Sequence, residues 1–290
     1  MKSIKNEISV FNPTHMNMIS DTFEIYHYRQ PYFKALDFHN HDFYEFYIFL
    51  DGIVTYYIEE KVYDLCAGDI LVIPPGKMHR PVIADPNALY ERIVLWVNPS
   101  YIQSIDDEKQ TLTTTLHTIE ANKQYLIPIP SVDFDFITTM LHRLIHLSTT
   151  NEDSILVKNA YLVLLLDHIH TQLLSAAPFK AEDIEYDTIP EIIYYINEHL
   201  CEKLTLDDIS NRFFISKYHL IRKFKAYTNA TVYDYIIAKR IVLAKKLLRE
   251  GVSATEACMQ CGFTDYSNFY KSFQMKSGMT PAEFKGTIGK

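Results

Sequence analysis

Hydrophobic residues in the first hundred positions fall in short runs that turn-forming residues separate. Five runs are rich in β-branched and aromatic residues: 43–50, 53–58, 62–65, 70–73 and 90–97. Glycine, proline or charged residues lie between them. Runs of this length and spacing are typical of antiparallel strands. The pattern over residues 20–100 therefore predicts a small β-barrel or β-sandwich.

The period of the pattern changes after Pro130. Apolar residues recur at helical spacing from Phe134 to Leu147 and again from Ile155 to Ile169. Polar residues at 151–154 suit the start of the second helix. Both helices contain more apolar residues than a pair of helices exposed to water should contain. We expect them to pack on the barrel and on a second copy of the chain, and packing on the barrel alone is the alternative.

The last hundred residues predict two similar helical units. Residues suited to begin a helix recur along them: Thr205, Ser216, Ser253 and Asp265. A core pair four residues apart, Leu220 and Phe224, returns about 50 residues later as Phe269 and Phe273. A long helix over 231–248 joins the two units, and Pro281 suits the start of a last short helix. This layout predicts a tandem helix-turn-helix domain.

Composition fits two ordinary globular domains. The chain has 290 residues, 48% hydrophobic and 22% charged, enough to bury two cores without disulfides or metals. No apolar run approaches the ~20 residues of a membrane span, and no apolar stretch follows the amino terminus as in a signal peptide. The four cysteines are too scattered for a disulfide framework, and Cys258 and Cys261 are expected to pack in a core. We expect a reduced, cytoplasmic protein with no membrane partner.

The uneven distribution of charge changes what the net charge of −8 implies. Residues 1–186 hold 13 basic and 25 acidic residues, a net −12, whereas residues 187–290 hold 15 and 11, a net +4. A basic end on an acidic body is expected where only one domain meets phosphates. A basic face that meets only solvent is the alternative interpretation.

Four residues of the predicted barrel can hold a metal ion or a polar ligand: His39, His41, Glu45 and His79. The first three occupy odd-numbered positions, so in one strand their side chains would point the same way. Three imidazoles and a carboxylate suit Fe, Mn, Ni or Zn. The same groups can instead bind a small organic effector, or one another in an inert core.

Aromatic residues crowd the same region: Phe43, Tyr44, Phe46, Tyr47, Phe49, Tyr56, Tyr57 and Tyr63. A tyrosine ring packs on the C–H face of a ligand while its hydroxyl bonds, which suits a polar, flat-faced ligand such as a sugar. We expect some of these side chains to line such a pocket and the others to fill the barrel core.

The spacing of the histidines resembles the two motifs of the cupin barrels. His39 to Gly52 follows the pattern HxHx3Ex6G of the first motif, and Gly68 to His79 follows Gx5PxGx2H of the second. The second motif usually ends in Asn, where this chain has Ile83. The resemblance implies an antiparallel barrel with the two histidine motifs facing its interior.

Residues 189–290 resemble the DNA-binding domain of the AraC/XylS family of transcription regulators. The matching marks are, in chain order, Leu204-Thr205-Leu206, Ile215-Ser216, Arg240, Gly262-Phe263, Asp265, Phe269, Phe273 and Gly278 to Pro281. Asn229 stands where the family often has glycine, and asparagine also tolerates a left-handed backbone. The cupin-like front half matches the sensor arm of one branch of that family, so the resemblance spans nearly the whole chain.

That resemblance also implies which side chains contact DNA. In the first unit they are Lys217, Tyr218, Ile221 and Arg222, and in the second they are Tyr266, Ser267, Asn268, Tyr270 and Lys271. Arg222 suits guanine and Asn268 suits adenine in the major groove. Lys217 suits a phosphate.

The sequence thus predicts a multidomain α and β protein in four segments. They are a cupin-like antiparallel β-barrel (1–130), a helical dimerisation segment (131–176), a linker (177–188) and an all-α tandem helix-turn-helix domain (189–290). The expected function is a DNA-binding transcription regulator controlled by a small-molecule effector. A sugar effector and an activating mode are favoured by family analogy.

The expected partners are promoter DNA, the effector, a second copy of the chain and RNA polymerase. No catalytic residue and no required cofactor is expected, and a divalent metal is the alternative occupant of the barrel. Two other functions stay open at this point. One is a cupin metal-dependent enzyme or metal sensor fused to a DNA-binding domain, and the other is a DNA-binding protein whose barrel only dimerises.

Overall fold

In a computed structural model of the chain, the structure describes residues 8–9, 18–30, 36–85, 88–149, 154–175 and 188–287. The chain divides into two compact units, with the division after residue 182. The predicted linker, up to residue 187, lies outside the described residues. Within the described ranges no helix is long and apolar enough to cross a membrane.

The first unit contains two antiparallel sheets. Its strands are β1 (Phe23–Gln30), β2 (Tyr44–Asp51), β3 (Val54–Ile58), β4 (Lys61–Asp64), β5 (Asp69–Ile73), β6 (His79–Ile83), β7 (Tyr90–Val97) and β8 (Leu126–Pro128). One sheet has the order β1-β7-β2-β5-β8 and the other has the order β4-β3-β6. Each of the five runs predicted as strands is a strand, within one residue at either end. The predicted antiparallel β architecture is confirmed.

The two sheets differ in burial because they have different neighbours. In β3, Val54, Tyr56 and Ile58 are buried and the residues between them are half-buried, as expected for a strand with one face toward a core. Every residue of β5 is buried, as expected for a strand covered on both faces. Helices cover the outer face of the five-stranded sheet.

Four helices belong to this unit: α1 (Pro99–Ile105), α2 (Thr111–Asn122), α3 (Ser131–Thr149) and α4 (Ile155–Ser175). The last two confirm the predicted helical pair. The first two correct the expectation that the barrel alone fills residues 1–130. Asn98 begins α1, because its side chain accepts a hydrogen bond from the Ser100 amide and Pro99 occupies the first helical position.

The helical pair shares one hydrophobic core with the sheets. Ile137, Leu141 and Leu144 of α3 are buried together with Leu162 and Leu166 of α4 and with the strand residues. The segment 131–176 is therefore part of the same compact unit as the barrel. Residues 151–153, predicted to start α4, lie outside the described residues, and Ser154 accepts a hydrogen bond from the Val157 amide at 3.4 Å.

The second unit is entirely helical among its described residues. Its helices are α5 (Thr188–Glu198), α6 (Leu206–Arg212), α7 (Lys217–Thr228), α8 (Val232–Arg249), α9 (Ala254–Gln260), α10 (Tyr266–Ser277) and α11 (Pro281–Thr287). The predicted caps begin the predicted helices: Thr205, Ser216, Ser253 and Asp265 each accept a hydrogen bond from the third residue of the helix. The all-α tandem architecture is confirmed.

The turn after α7 confirms the interpretation of Asn229. This residue ends the helix in the left-handed conformation, with φ of 56°, and its amide donates to the Lys225 carbonyl at 2.8 Å. Asparagine tolerates this conformation better than most residues, so the turn forms without glycine.

The core of the second helix-turn-helix unit contains the paired cysteines. Cys258 and Cys261 are buried beside Phe269 and Phe273. Burial raises the pKa of Cys258 and raises that of Cys261 to about 12, so both thiols stay protonated at neutral pH. Their role in core packing, predicted from the sequence, is confirmed.

Candidate functional site

A small cavity lies inside the barrel of the first unit. Residues of β1, β2, β3, β6, β7 and the segment before β2 line it: Tyr28, Leu36, His39, His41, Phe43, Glu45, Tyr47, Tyr56, Pro81, Tyr90, Arg92, Val94 and Trp96. The space open to the centres of water molecules is about 40 Å³. That is room for roughly three waters.

The imidazoles beside this cavity are fixed by backbone carbonyls. The Nδ1 atom of His41 lies 2.8 Å from the Phe43 carbonyl oxygen, and that of His79 lies 2.8 Å from the Lys77 oxygen. The Nδ1 atom of His39 lies 3.0 Å from the Asp37 oxygen. A carbonyl only accepts hydrogen bonds, so each Nδ1 carries the proton. In a neutral ring, the Nε2 atom then presents a lone pair.

Two of these lone pairs are buried without a hydrogen-bond partner among the described residues, namely those of His41 and His79. The His41 Nε2 atom is 3.3 Å from Glu45 Oε2, in a geometry that makes no hydrogen bond. His41, Glu45 and His79 each offer one atom that could coordinate a metal ion, and these three atoms all lie within 4.8 Å of one another. This trio, called the His–Glu cluster below, is a buried set of acceptors that needs a donor or a cation.

The prediction that one strand carries His39, His41 and Glu45 is wrong. Strand β2 begins at Tyr44, so only Glu45 is in it. An isolated bridge brings the other segment in, because the His39 and His79 backbones exchange hydrogen bonds of 3.1 and 2.9 Å. The His39 ring packs 4.3 Å from the His79 ring, measured between centroids, but lies outside the His–Glu cluster.

The protonation states of the cluster follow from burial and close contact. Burial lowers the pKa of His39 to about 4 and lowers that of His79 further, so both rings are neutral at pH 7. Burial alone would raise the pKa of Glu45, but hydrogen bonding and charge from His41 when it is protonated, with smaller contributions from His79 and His39, outweigh burial and lower this pKa to about 2. Trp96 Nε1 also donates to this carboxylate at 2.8 Å. The site thus holds one carboxylate beside two neutral imidazoles, those of His39 and His79.

Hydroxyl groups and one arginine complete the cavity wall. The Tyr47 and Tyr90 hydroxyls hydrogen-bond to each other, and burial raises the pKa of both phenols. The Tyr56 hydroxyl donates to Glu45 at 3.4 Å. Arg92 is buried with its guanidinium 4.2 Å from the Tyr90 ring centroid and 4.8 Å from the centroid of the Tyr28 ring. The wall therefore combines flat apolar faces with hydrogen-bonding groups.

Sequence reasoning found half of this wall. Of the eight aromatic residues that it named, Phe43, Tyr47 and Tyr56 line the cavity. It missed a second group, contributed by β1 and β7: Tyr28, Tyr90, Arg92 and Trp96. The alternation of residues 90, 92, 94 and 96, with an arginine inside an apolar run, was the available signal. Antiparallel pairing of β7 with β2 sets Trp96 opposite Glu45.

In the second unit, the predicted DNA-reading side chains of the first helix-turn-helix share one exposed face. Lys217, Tyr218, Ile221 and Arg222 of α7 are exposed, whereas Leu220 and Phe224 are buried. The buried pair holds α7 against its unit and leaves the other face to a partner. Lys217 forms an ion pair with Asp207 of α6.

The second helix-turn-helix repeats this arrangement on α10. Its predicted reading residues are all exposed: Tyr266, Ser267, Asn268, Tyr270 and Lys271. Phe269 and Phe273 are buried on the opposite side. The Asp265 carboxylate caps the helix by accepting from the Asn268 amide at 2.7 Å. Both candidate recognition helices are thus capped, anchored by two apolar residues and open on one face.

A barrel with an internal cavity lined by aromatic and hydrogen-bonding groups, followed by a tandem helix-turn-helix domain, is typical of a ligand-responsive DNA-binding transcription regulator. Comparison with known families agrees in both parts. Residues 22–185 match the AraC-like ligand binding domain, and residues 209–287 match a helix-turn-helix domain. The chain belongs to the AraC family of transcriptional regulators, as the sequence resemblance predicted.

Several regulators are similar over most of the chain. YbfI of Bacillus subtilis, an uncharacterized HTH-type transcriptional regulator, is 27% identical over 79% of this chain and 80% of its own. The transcriptional activator RhaR of Mannheimia succiniciproducens is 24% identical over 91% of each chain. The solved structure of ToxT from Vibrio cholerae covers 93% of this chain and all of its own, with 14% identity and a TM-score of 0.38.

Proposed function

We propose that this regulator is a cytoplasmic transcriptional activator whose barrel binds a small hydroxyl-bearing effector, with sugars as the first class to test. One observation carries the proposal: the buried Nε2 lone pairs of His41 and His79 have no donor among the described residues. A ligand hydroxyl supplies such a donor. Tyr47 and Tyr56 offer rings and hydroxyls to the rest of the ligand.

The small size of the cavity links binding to regulation. A sugar ring is larger than the roughly three waters for which the cavity has room, so binding displaces lining side chains. The ligand then favours the arrangement of the barrel in which those side chains have moved. Such a difference in affinity between two arrangements is what a regulatory effector requires.

The experiment is thermal unfolding of the full chain with a panel of monosaccharides and sugar alcohols. A ligand that binds the native state raises the unfolding midpoint. Tyr47→Phe, which removes a cavity hydroxyl, should abolish the shift. Tyr63→Phe is the matched control, because its buried hydroxyl contacts the Lys123 carbonyl at 3.5 Å outside the cavity lining. No shift with any compound, or equal loss in both variants, contradicts the proposal.

A divalent metal is a second candidate for the same cavity, favoured by the His–Glu cluster. Carbonyls that fix Nδ1 and aim Nε2 inward are the outer contacts that metal-binding histidines usually have. Two ligands bound 2.1 Å from one ion are at most about 4.2 Å apart, so the cluster would have to contract slightly from 4.8 Å. The ion would be held by His41, Glu45 and His79 and would supply a Lewis acid there.

Metal analysis distinguishes this candidate from the organic effector. Purified protein is incubated separately with Mn, Fe, Ni and Zn salts, desalted and measured for bound metal. Stoichiometric metal that is lost in His79→Ala but retained in His117→Ala, an exposed histidine of α2, supports the metal. Protein that stays metal-free under all four conditions excludes it and leaves the organic effector.

We propose that the chain forms a homodimer through α4. A stripe at helical spacing is exposed along this helix: Val157, Ala160, Leu164, Asp167, Thr171 and Leu174. Leu174 is 75% exposed and Leu164 is 48% exposed. Four of these six positions are apolar, and apolar residues repeated along one exposed face are typical of a helix–helix interface. Leu164→Glu should convert a dimer into a monomer in analytical ultracentrifugation, whereas Ile53→Glu, on an exposed position of the barrel, should not.

The activating mode rests on the relatives RhaR and RhaS, both named transcriptional activators. Activation requires a contact with RNA polymerase at the promoter. In a purified transcription reaction on a template with this protein's binding site, adding the protein and its effector should increase the transcript. A decrease would make the protein a repressor.

A further inference from the structure

One residue in the first helix-turn-helix unit is unusual in two ways. Phe214 lies in the turn between α6 and α7, and 96% of its surface is exposed. Its backbone is left-handed, with φ of 53°. A bulky residue is disfavoured in this conformation because its Cβ crowds the backbone. An exposed phenylalanine ring also gains nothing from folding.

The second helix-turn-helix shows that the turn between its two helices does not require a phenylalanine side chain. Gly262 lies at the corresponding position, two residues after the end of α9, as Phe214 lies two residues after the end of α6. Its backbone is left-handed as well, with φ of 80°. The repeat thus uses glycine where the geometry favours glycine. The ring of Phe214 is therefore explained by a contact outside the domain.

We propose that Phe214 contacts DNA, packing against the 5-methyl group of a thymine at the edge of the site read by α7. Residues at the amino end of a recognition helix contact base edges. Phe214 is two residues before the cap Ser216 and four before Tyr218, and both aromatic side chains are exposed. The thymine methyl is the apolar group that the major groove displays.

The charge around Phe214 favours DNA over a protein as the partner. Helix α7 carries four basic residues and no acidic one: Lys217, Arg222, Lys223 and Lys225. Phosphates on either side of the groove are attracted to such a helix. The inference rests on α7 being a DNA-reading helix, which Arg222→Ala tests independently.

The test uses a duplex selected from a random-sequence library by the full-length protein, and an unselected duplex of equal length. Phe214→Gly and Phe214→Asn both fit a left-handed backbone, so their unfolding midpoints should not fall. Each should bind the selected duplex about threefold to tenfold more weakly and the unselected duplex as well as the wild type does. Tyr194→Ala, at an exposed aromatic residue of α5, is the control and should bind both normally.

Replacing thymine by uracil removes only the methyl group. At one position of the selected duplex, this replacement should weaken binding of the wild type and leave binding of Phe214→Gly unchanged. Wild-type affinity of Phe214→Gly for the selected duplex overturns the proposal, as does equal loss on both duplexes. Normal DNA binding with lost transcriptional activation also overturns it, and indicates a protein contact. Loss in Arg222→Ala but not in Phe214→Gly shows that α7 reads DNA without Phe214.

Discussion

At the scale of single residues, the proton on each histidine decides what the barrel can bind. Backbone carbonyls accept hydrogen bonds from the Nδ1 atoms of His41 and His79, so in the neutral rings the Nε2 atoms accept and do not donate. Glu45 adds a buried carboxylate to these two acceptors. These acceptors on the cavity wall suit ligands that bring hydroxyl donors or positive charge.

The reading residues can be tested one at a time. Arg222→Ala and Lys271→Ala should each cost roughly 1–3 kcal/mol of binding free energy on the selected duplex, because each removes a side chain proposed to bond a base edge. The measurement is a fluorescence anisotropy titration on selected and unselected duplexes. Lys217→Ala serves as the comparison, since a phosphate contact weakens binding to both equally. Equal losses on both duplexes for Arg222→Ala would reduce its role to a phosphate contact.

At the scale of elements, one tight contact holds the two helix-turn-helix units together. The Arg240 side chain of α8 donates to the Leu200 and Glu202 carbonyls at 2.9 and 2.7 Å, in the segment between α5 and α6. Gly262 approaches the same segment, and a Cβ placed on it would lie 2.6 Å from the Cys201 carbonyl oxygen. The turn of the second helix-turn-helix therefore packs directly on the segment that precedes the first helix-turn-helix.

This contact predicts a large effect of a small substitution. Gly262→Ala should lower the free energy of unfolding by more than about 3 kcal/mol, because the new methyl overlaps backbone atoms and the backbone is left-handed. Urea denaturation of the full chain, monitored by the unfolding of the helical unit that contains Gly262, measures this free energy. Gly278→Ala isolates the backbone effect, since φ there is 71° and no atom lies within 4 Å of a Cβ. It should cost only about 1–2 kcal/mol. Similar losses in both variants would disprove the overlap.

Helices were easier to predict than strand partners at this scale. Thr205 with Asp208 and Ser253 with Glu256 form capping boxes within four residues, so the sequence marks those helix starts locally. Helices α1 and α2 were missed inside the expected barrel, although Asn98 and Pro99 marked the start of α1. Strand β8 has three residues and forms only by pairing with β5.

At the scale of the whole molecule, the division into two compact units matches the division of charge. Residues 1–186 hold 25 of the 36 acidic residues, whereas the 28 basic residues divide into 13 before residue 187 and 15 from there on, so the second unit is positive mainly because it has fewer acidic residues. A negative barrel is repelled by DNA phosphates, so the charge favours binding through the second unit alone.

Residues 187–290, expressed without the barrel, should fold and bind a half-site. They contain their own buried core and carry a net charge of +4. Circular dichroism and a DNA titration at increasing salt provide the measurement, and affinity should fall steeply with salt because bound counterions are released. A folded fragment that does not bind would mean that the barrel contributes to the DNA surface. Salt-independent binding would exclude the basic face as the surface that binds DNA.

The sequence by itself determined the two-domain plan and the tandem helix-turn-helix unit, and it predicted nine DNA-contacting residues, all of which are exposed. Those features depend on caps, turns and apolar pairs that lie within a few residues of one another. Only the tertiary structure decided how the cavity is composed. Trp96 reaches Glu45 through strand pairing across about 50 residues, and Arg92 of the same strand lines the same cavity. The bridge between His39 and His79 brings the two histidine motifs together. Strand register depends on distant segments packing at once, and so no local pattern specifies it.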